Sequence, residues 1–185
     1  MLKKNTIQII SPARLHFGFL EINNNQSDNL LGGIGLSIDK FHTKITMKKN
    51  AKIKVKGKSL NKASLLLNTF CRKREIKPNF FLNIEKSSPQ HIGLGSGTQL
   101  ALSIGKAISD LNNLNLNIEK IGKILNRNYR SNVGLINFKY GGFLIDLKIK
   151  NKFFTSIDKV FFPEDWKIIL IKDLKQGLHG KNEID

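Results

Sequence analysis

The chain has 185 residues, a formal net charge of +17 and one cysteine, Cys71. This length supports a sizeable core and one domain, with room for the start of a second. A single cysteine excludes an intrachain disulfide, and no apolar run approaches the roughly 20 residues that span a bilayer. Residues 1–6 lead into a strand pattern and not into a signal-peptide core. We therefore expect a cytoplasmic protein without a membrane partner.

The positive charge invites a nucleic-acid interpretation, but its composition argues against one. Of the 31 basic residues, 26 are lysines, and they occupy alternate strand positions such as Lys52, Lys54 and Lys56. Aromatic residues do not interleave with arginines as they do in a base-stacking surface. Nucleic acid is therefore not favoured as the main partner, whereas a positive field would concentrate a small polyphosphate near the protein.

Period-two alternation of apolar and polar residues predicts most of the strands. Segments 44–48 and 52–56 both alternate and are separated by three residues, so we expect them to form a hairpin across 49–51. Helical periodicity with a possible cap at Ser59 or Asn61 predicts a helix over 59–74. The other expected strands are 6–10, 15–20, 32–39, 80–85, 143–147 and 167–172.

A glycine-rich loop lies at the centre of the chain. Gly93, Gly95 and Gly97 stand at alternate positions, which allows a tight backbone and close approach of its N–H groups to a ligand. Ser96 and Thr98 are N-cap candidates for an amphipathic helix that runs to about residue 111. Because a helix N-terminus attracts anions, this pattern predicts a phosphate site. The alternative is a glycine-rich turn that only starts a helix.

Two further segments complete the predicted order. Asn117 is a suitable cap for a second helix, and residues 130–134 are expected to form a loop before the strand at 143–147. Strands come first and helices cover one face of the sheet, so the predicted fold class is α+β.

Three stretches, 12–18, 89–99 and 140–146, together resemble the GHMP kinase superfamily. The middle one is similar to the phosphate-binding loop of that superfamily. Within it, the details are most similar to the β-ribofuranosylaminobenzene 5′-phosphate synthase family, over about residues 11–173. The resemblance implies a GHMP-type N-terminal domain at 1–163, resembling the second domain of ribosomal protein S5. It implies that 164–185 begin a ferredoxin-like C-terminal domain.

The same resemblance implies a reaction. Ribosyl 5-phosphate would pass from phosphoribosyl pyrophosphate to the ring carbon of 4-aminobenzoate or 4-hydroxybenzoate, with release of CO2 and pyrophosphate. Such a step belongs to the biosynthesis of methanopterin-type one-carbon carriers. Mg²⁺ is the implied cofactor, its ligands are not assigned, and a homodimer is left open.

The resemblance also places roles on individual residues. Arg14 and Arg130 would orient the aryl carboxylate and the 5-phosphate with their planar guanidinium groups, and Glu21 or Asp39 would lie near the oxocarbenium-like centre. The residues expected to bind the phosphates are Gly93, Leu94, Gly95, Ser96, Gly97, Thr98, Gln99 and Ser131.

Other polar residues have a more ordinary interpretation. His16 and His91 are expected to be packed and hydrogen-bonded, and Asp39 and Asp146 to serve as turn or surface partners.

Two other functions stay open. An ATP-dependent small-molecule kinase would use the same loop, but the aspartate of many such kinases falls on Gly134, which has no side chain. The second alternative is a non-catalytic module that binds anions or nucleic acid.

Overall fold

A computed structural model describes residues 5–21, 31–89, 92–127, 132–146 and 157–171. Two long antiparallel strands, β1 (Thr6–Glu21) and β2 (Leu31–Lys49), pair with each other along most of their length. Four separate strands were expected here. They merge into two because bulges between Ser11 and Ala13 and between His16 and Gly18 absorb the changes of register.

β2 also pairs with two of the remaining strands, and each of these two pairs with one more strand. β4 (Phe80–Lys86) pairs with one end of β2, and β5 (Phe143–Asp146) with the other. β3 (Lys54–Gly57) runs parallel to β4, and β6 (Ile157–Val160) pairs with β5.

The expected hairpin between 44–48 and 52–56 is wrong. β4 lies between β2 and β3 in the sheet, because the chain crosses over through a helix before it returns. The strand β6 was not expected from the sequence.

Four helices complete the fold. They are α1 (Leu60–Lys73), α2 (Ser96–Leu111), α3 (Ile118–Ile124) and α4 (Val133–Tyr140). α2 is central, since it contacts β1, β2 and the other three helices. The predicted cap of α3 is confirmed, because the Asn117 side chain accepts a hydrogen bond from the Lys120 N–H. Residues 133 and 134, expected in a loop, already belong to α4.

The main core lies between the sheet and the α1–α2 pair. Its largest side chains are fully buried and include Ile45, Met47, Phe70, Leu82 and Leu100. α2 packs closely against α3 because Gly105 of α2 faces Ile121 of α3, where there is no room for a larger side chain. A hydrogen bond of 3.1 Å between the Ser11 and Ser103 hydroxyls ties the bulge of β1 to α2.

Residues 161–171 form no strand, so the prediction of a strand at 167–172 is wrong for its described part. This segment pairs with none of the described strands. Ile169 and Ile171 are 84% and 95% exposed. The Phe162 ring packs against the rings of Phe143 and Trp166, so these three residues form a small aromatic cluster. The division into domains at 163 and 164 stays a prediction.

Candidate functional site: the start of helix α2

The glycine loop turns sharply into α2. Gly93 and Gly95 have φ values of 76° and 68°, in the left-handed region that glycine adopts without strain. Gly95 is the N-cap residue of α2, and no side chain caps the helix. The expectation that Ser96 or Thr98 would be the N-cap is therefore wrong, because both residues already lie inside the first turn.

The loop is held rigidly against β1. Leu94 is buried in a small cluster with Ala13 and Ile38. Its carbonyl accepts a hydrogen bond of 3.1 Å from the Arg14 N–H. Gly93 projects away from this anchor, since a side chain at that position would meet nothing within 4 Å. The loop therefore has one end fixed in the protein and a tip open to solvent.

The first amides of α2 remain available to a ligand. The N–H groups of Thr98 and Gln99 both donate to the Gly95 carbonyl, at 3.0 and 3.1 Å. Those of Ser96 and Gly97 have no acceptor among the described residues. Two neighbouring donors at the positive end of a sixteen-residue helix form an anion-binding arrangement.

Three cations from three elements surround this turn. The Arg14 guanidinium packs beside Gly95, where an added methyl group would lie 3.3 Å from its Nε. A methyl group at Gly97 would lie 3.1 Å from Nζ of Lys62 and 4.0 Å from Nη1 of Arg127. Arg14 was expected to orient the aryl carboxylate or the 5-phosphate, and the structure places it beside the glycine loop.

Lys62 and Arg127 were missed in the sequence, because each is one of 31 basic residues and lies 30 or more positions from Gly97. The sequence signal that could have identified them was their position relative to the predicted helices. Lys62 stands in the first turn of α1 and Arg127 just after α3.

The electrostatics of this cluster are unfavourable without an anion. Burial and the neighbouring Arg127 charge lower the pKa of Lys62, and burial lowers the pKa of Arg127. The first turn of α2 contains no acidic residue that would complement the helix dipole. An anionic ligand would reduce the repulsion between Lys62 and Arg127 and would interact favourably with the positive end of the α2 dipole.

Two residues of the predicted phosphate set pack inward. Gln99 is fully buried and donates a hydrogen bond of 2.9 Å from Nε2 to the Gly134 carbonyl. A side chain on Gly134 would lie 3.0 Å from Cγ2 of Thr98. The first turns of α2 and α4 are thus in close contact, and their side chains hold the loop from behind.

Apart from Asp39, Glu21 is the one remaining predicted site residue in the described part of the chain, and the structure does not bring it to the loop. Glu21 ends β1, seven residues beyond Arg14, which is on the order of 20 Å along a strand. Arg130, Ser131 and His91 lie outside the described residues.

The structure also shows the surroundings of Asp146, His16 and Asp39, for which the sequence predicted ordinary structural roles. Asp146 was expected at a turn or the surface, but it is fully buried and its Oδ2 accepts from the Asn132 N–H at 3.3 Å. It is buried because β5 lies beside β2, with the start of α4 packed against it. His16 is half-buried, and its Nδ1 accepts from the Gly18 N–H at 3.2 Å. Burial and the nearby Arg14 lower its pKa to about 4. Asp39 is exposed.

A metal centre built from protein groups is not found in the described part of the chain, where no three His, Cys, Asp or Glu side chains cluster. The nearest described groups at Gly95 and Gly97 are the cations of Arg14, Lys62 and Arg127, and the first turn of α2 has no acidic residue, a donor set that does not fit Mg²⁺ on its own. None of the described helices is both long and apolar enough to cross a membrane.

Comparison with known proteins agrees with this geometry. Residues 60–137 match the family described as GHMP kinases N terminal domain. The chain contains a GHMP kinase N-terminal domain. The matched residues run from α1 to α4 and include the loop and all of α2.

Two archaeal relatives carry the name beta-ribofuranosylphenol 5′-phosphate synthase. The chain is 30% identical to that of Archaeoglobus fulgidus over 97% of its own length and 61% of the relative's. It is 32% identical to that of Methanocaldococcus jannaschii, over 96% of its length and 62% of the relative's. The chain thus spans about three-fifths of the curated relatives that it matches.

The fold recurs in solved kinase structures. An L. major mevalonate kinase in complex with R-mevalonate superposes with a TM-score of 0.60 at 12% identity. The match covers 87% of this chain and 55% of that one. The expected α+β, GHMP-type fold is confirmed.

Proposed function

We propose that the glycine loop and the start of α2 hold the diphosphate of phosphoribosyl pyrophosphate for transfer of its ribosyl 5-phosphate to an aryl carboxylate. The observation that carries this proposal is the pair of Ser96 and Gly97 N–H groups, which have no acceptor among the described residues, with the Arg14 guanidinium beside Gly95. The similarity to proteins named beta-ribofuranosylphenol 5′-phosphate synthase supports the donor and the reaction class.

The relatives' name also favours one acceptor. The product in that name is a ribofuranosyl phenol, which carries a ring hydroxyl. Substitution at the carboxyl-bearing carbon of 4-hydroxybenzoate would give such a product, whereas 4-aminobenzoate would give an aniline. We therefore place 4-hydroxybenzoate first and keep 4-aminobenzoate as the second acceptor to be measured.

The chemistry requires a bond exchange at two carbons. The C1–O bond to diphosphate breaks with its electron pair on the leaving oxygen, and a new bond forms between C1 and the ring carbon. The carboxyl group then leaves as CO2, and its bonding electrons restore the aromatic ring. Charge develops mainly on the diphosphate, so donors fixed in advance around it would lower the barrier.

This chain's own residues would perform the leaving-group part of that exchange. The Ser96 and Gly97 amides would donate to one phosphate, and the guanidinium of Arg14 beside Gly95 would supply a charged donor. Leu94 and Gln99 keep the turn in place, from the sheet and from α4. Mg²⁺ could join as an ion carried by the phosphates, and no step is assigned to it. Arg130, Ser131 and Glu21 keep their proposed roles.

The direct test measures decarboxylation. The protein is mixed with phosphoribosyl pyrophosphate, Mg²⁺ and carboxyl-labelled 4-hydroxybenzoate, and in parallel with the labelled aminobenzoate. We expect donor-dependent release of labelled CO2 in equal amount to pyrophosphate. Folded protein that binds the donor but releases no label would contradict the transfer, while failure to bind the donor at all would contradict the phosphate site itself.

The kinase alternative is tested in the same preparation. Gly134 offers no carboxylate where many such kinases carry an aspartate, and a side chain there would press on Cγ2 of Thr98 at 3.0 Å. We therefore expect no ADP production from ATP with small alcohols such as mevalonate. Sustained ADP production would reverse the ranking of the two functions.

A further inference from the structure

We infer that Lys62 and Arg127 bind a second phosphate group next to the one on the Ser96 and Gly97 amides, so that the site selects diphosphates over monophosphates. This inference rests on the proposed function and names two residues as its specificity determinants. Neither belongs to the loop, and each comes from a different helix region.

The first support is convergence. Both cationic groups come within 4.0 Å of the position that a methyl group on Gly97 would occupy, while Arg14 stands beside Gly95 at the other side of the turn. The two sides of the turn are therefore both positively charged. One phosphate on the amides cannot contact Arg14, Lys62 and Arg127 together as readily as a diphosphate can.

The second support is that Arg127 is held in place. Asn126 adopts a left-handed conformation, with φ of 55°. The Arg127 N–H donates to the Gly122 carbonyl at 2.8 Å, and the Asn126 N–H to the Lys123 carbonyl at 3.2 Å. These two bonds form a Schellman motif at the end of α3. The backbone of Arg127 is thus fixed, so its side chain has a defined origin beside α2.

The third support is that Lys62 and Arg127 have no anionic partner among the described residues. The described residues form ion pairs at Lys44, Lys106 and Lys139 but none at Lys62 or Arg127. Nε of Arg127 is buried and has no hydrogen-bond partner among the described residues. Lys62 lies in the first turn of α1 and beside the first turn of α2, so two helix dipoles oppose its charge.

These charges destabilise the protein when the site is empty, and a ligand phosphate would neutralise them. The lowered pKa of Lys62 is consistent with that arrangement. A purely structural role would favour an acidic partner for each cation, as Glu119 provides for Lys139 at 2.8 Å.

The experiment compares two inorganic anions. Binding of phosphate and diphosphate is measured by calorimetry without divalent cations, for the wild type and for Lys62→Gln and Arg127→Gln. We expect each substitution to weaken diphosphate binding by about tenfold to a hundredfold, the effect of one charged hydrogen bond. Phosphate binding should change by less than about threefold, because the amides and Arg14 remain. Arg127→Lys should recover part of the loss.

Lys77→Gln is the matched control. It removes the same charge from an exposed site beyond the opposite end of α1. If it reduces diphosphate binding as much as Lys62→Gln, a general field and not a contact is responsible, and the inference is wrong. Thermal unfolding of each variant shows whether it is folded.

The outcomes separate the inference from the proposed function. A wild type that prefers diphosphate, with variants that keep the same preference, overturns the roles of Lys62 and Arg127 and leaves the phosphate site standing. Equal loss of both anions in the variants also overturns the inference. A wild type that binds neither anion overturns the inference and the proposed function together.

Discussion

Helices α2 and α3 begin in opposite ways, although they pack against each other. At α3, the Asn117 side chain caps the Lys120 N–H, and Glu119 adds a negative charge in the first turn. At α2, Gly95 has no side chain to offer, and no acidic residue follows in the first turn. Both devices that usually stabilise a helix start are present in α3 and missing from α2.

The surroundings increase the contrast. Glu119 forms an ion pair with Lys139, whereas Lys62 and Arg127 beside α2 form no ion pair among the described residues and repel each other. A helix start that is both uncapped and surrounded by cations is unstable alone and favourable with an anion bound. The comparison therefore separates a structural helix start from one that is arranged for a ligand.

The largest effect is expected when α2 is given the charge that it lacks. Ser96→Glu would place a carboxylate in the first turn of α2, where it competes with any phosphate for the positive end of the helix. We expect diphosphate affinity to fall by at least about a hundredfold, since like charges at about 4 Å repel strongly near a protein surface. Calorimetric titration measures this change.

Asn117→Asp is its control, because it adds the same charge at the start of α3 and keeps the cap. Diphosphate affinity in this variant should equal that of the wild type. If Ser96→Glu also binds diphosphate normally, the anion does not sit on the start of α2.

A smaller effect is expected from Gly95→Ala. The φ of 68° is unfavourable for alanine, and the new methyl group would press on the Arg14 guanidinium. The variant should lose about 1–2 kcal/mol of unfolding free energy and about tenfold in diphosphate affinity. Urea unfolding and calorimetry measure the two quantities. An unchanged affinity together with lower stability would mean that Gly95 shapes the helix start but not the site.

A smaller effect again is expected at α3. Asn117→Ala removes the side-chain acceptor of the Lys120 N–H and should lower the free energy of unfolding by about 1 kcal/mol. Diphosphate affinity should not change. Loss of affinity in this variant would show that the two helix starts are coupled, and the contrast between them would then be incomplete.

The sequence predicted the parts of this contrast that depend on local pattern. The apolar periodicity of α1 and α2 and the cap at Asn117 are local signals, and the structure confirms them. The cap of α2 was misassigned because Ser96 and Thr98 are good capping residues in general. Only the positive φ of Gly95 shows where the helix starts.

Pairings between distant segments could not be predicted. The alternation in 44–48 and 52–56 shows that both are strands but not that β4 is inserted between them. Lys62 and Arg127 meet at Gly97 only because α1 and α3 both pack against α2. In a chain with 26 lysines, such a contact cannot be recognised before the fold is known.

The smallest expected effect concerns the strand that supports α2. The pKa of His16 is lowered from 6.5 to about 4, because burial and Arg14 disfavour its protonated form. The unfolded chain therefore binds the proton more readily, and stability is lost as pH falls from 6.5 towards 4. Protonation would also remove the acceptor that Nδ1 offers to the Gly18 N–H. His16→Asn should reduce this loss, so thermal unfolding at pH 7 and pH 5 should differ less in the variant than in the wild type. Equal differences in both proteins would show that His16 does not couple pH to the strand that holds the loop.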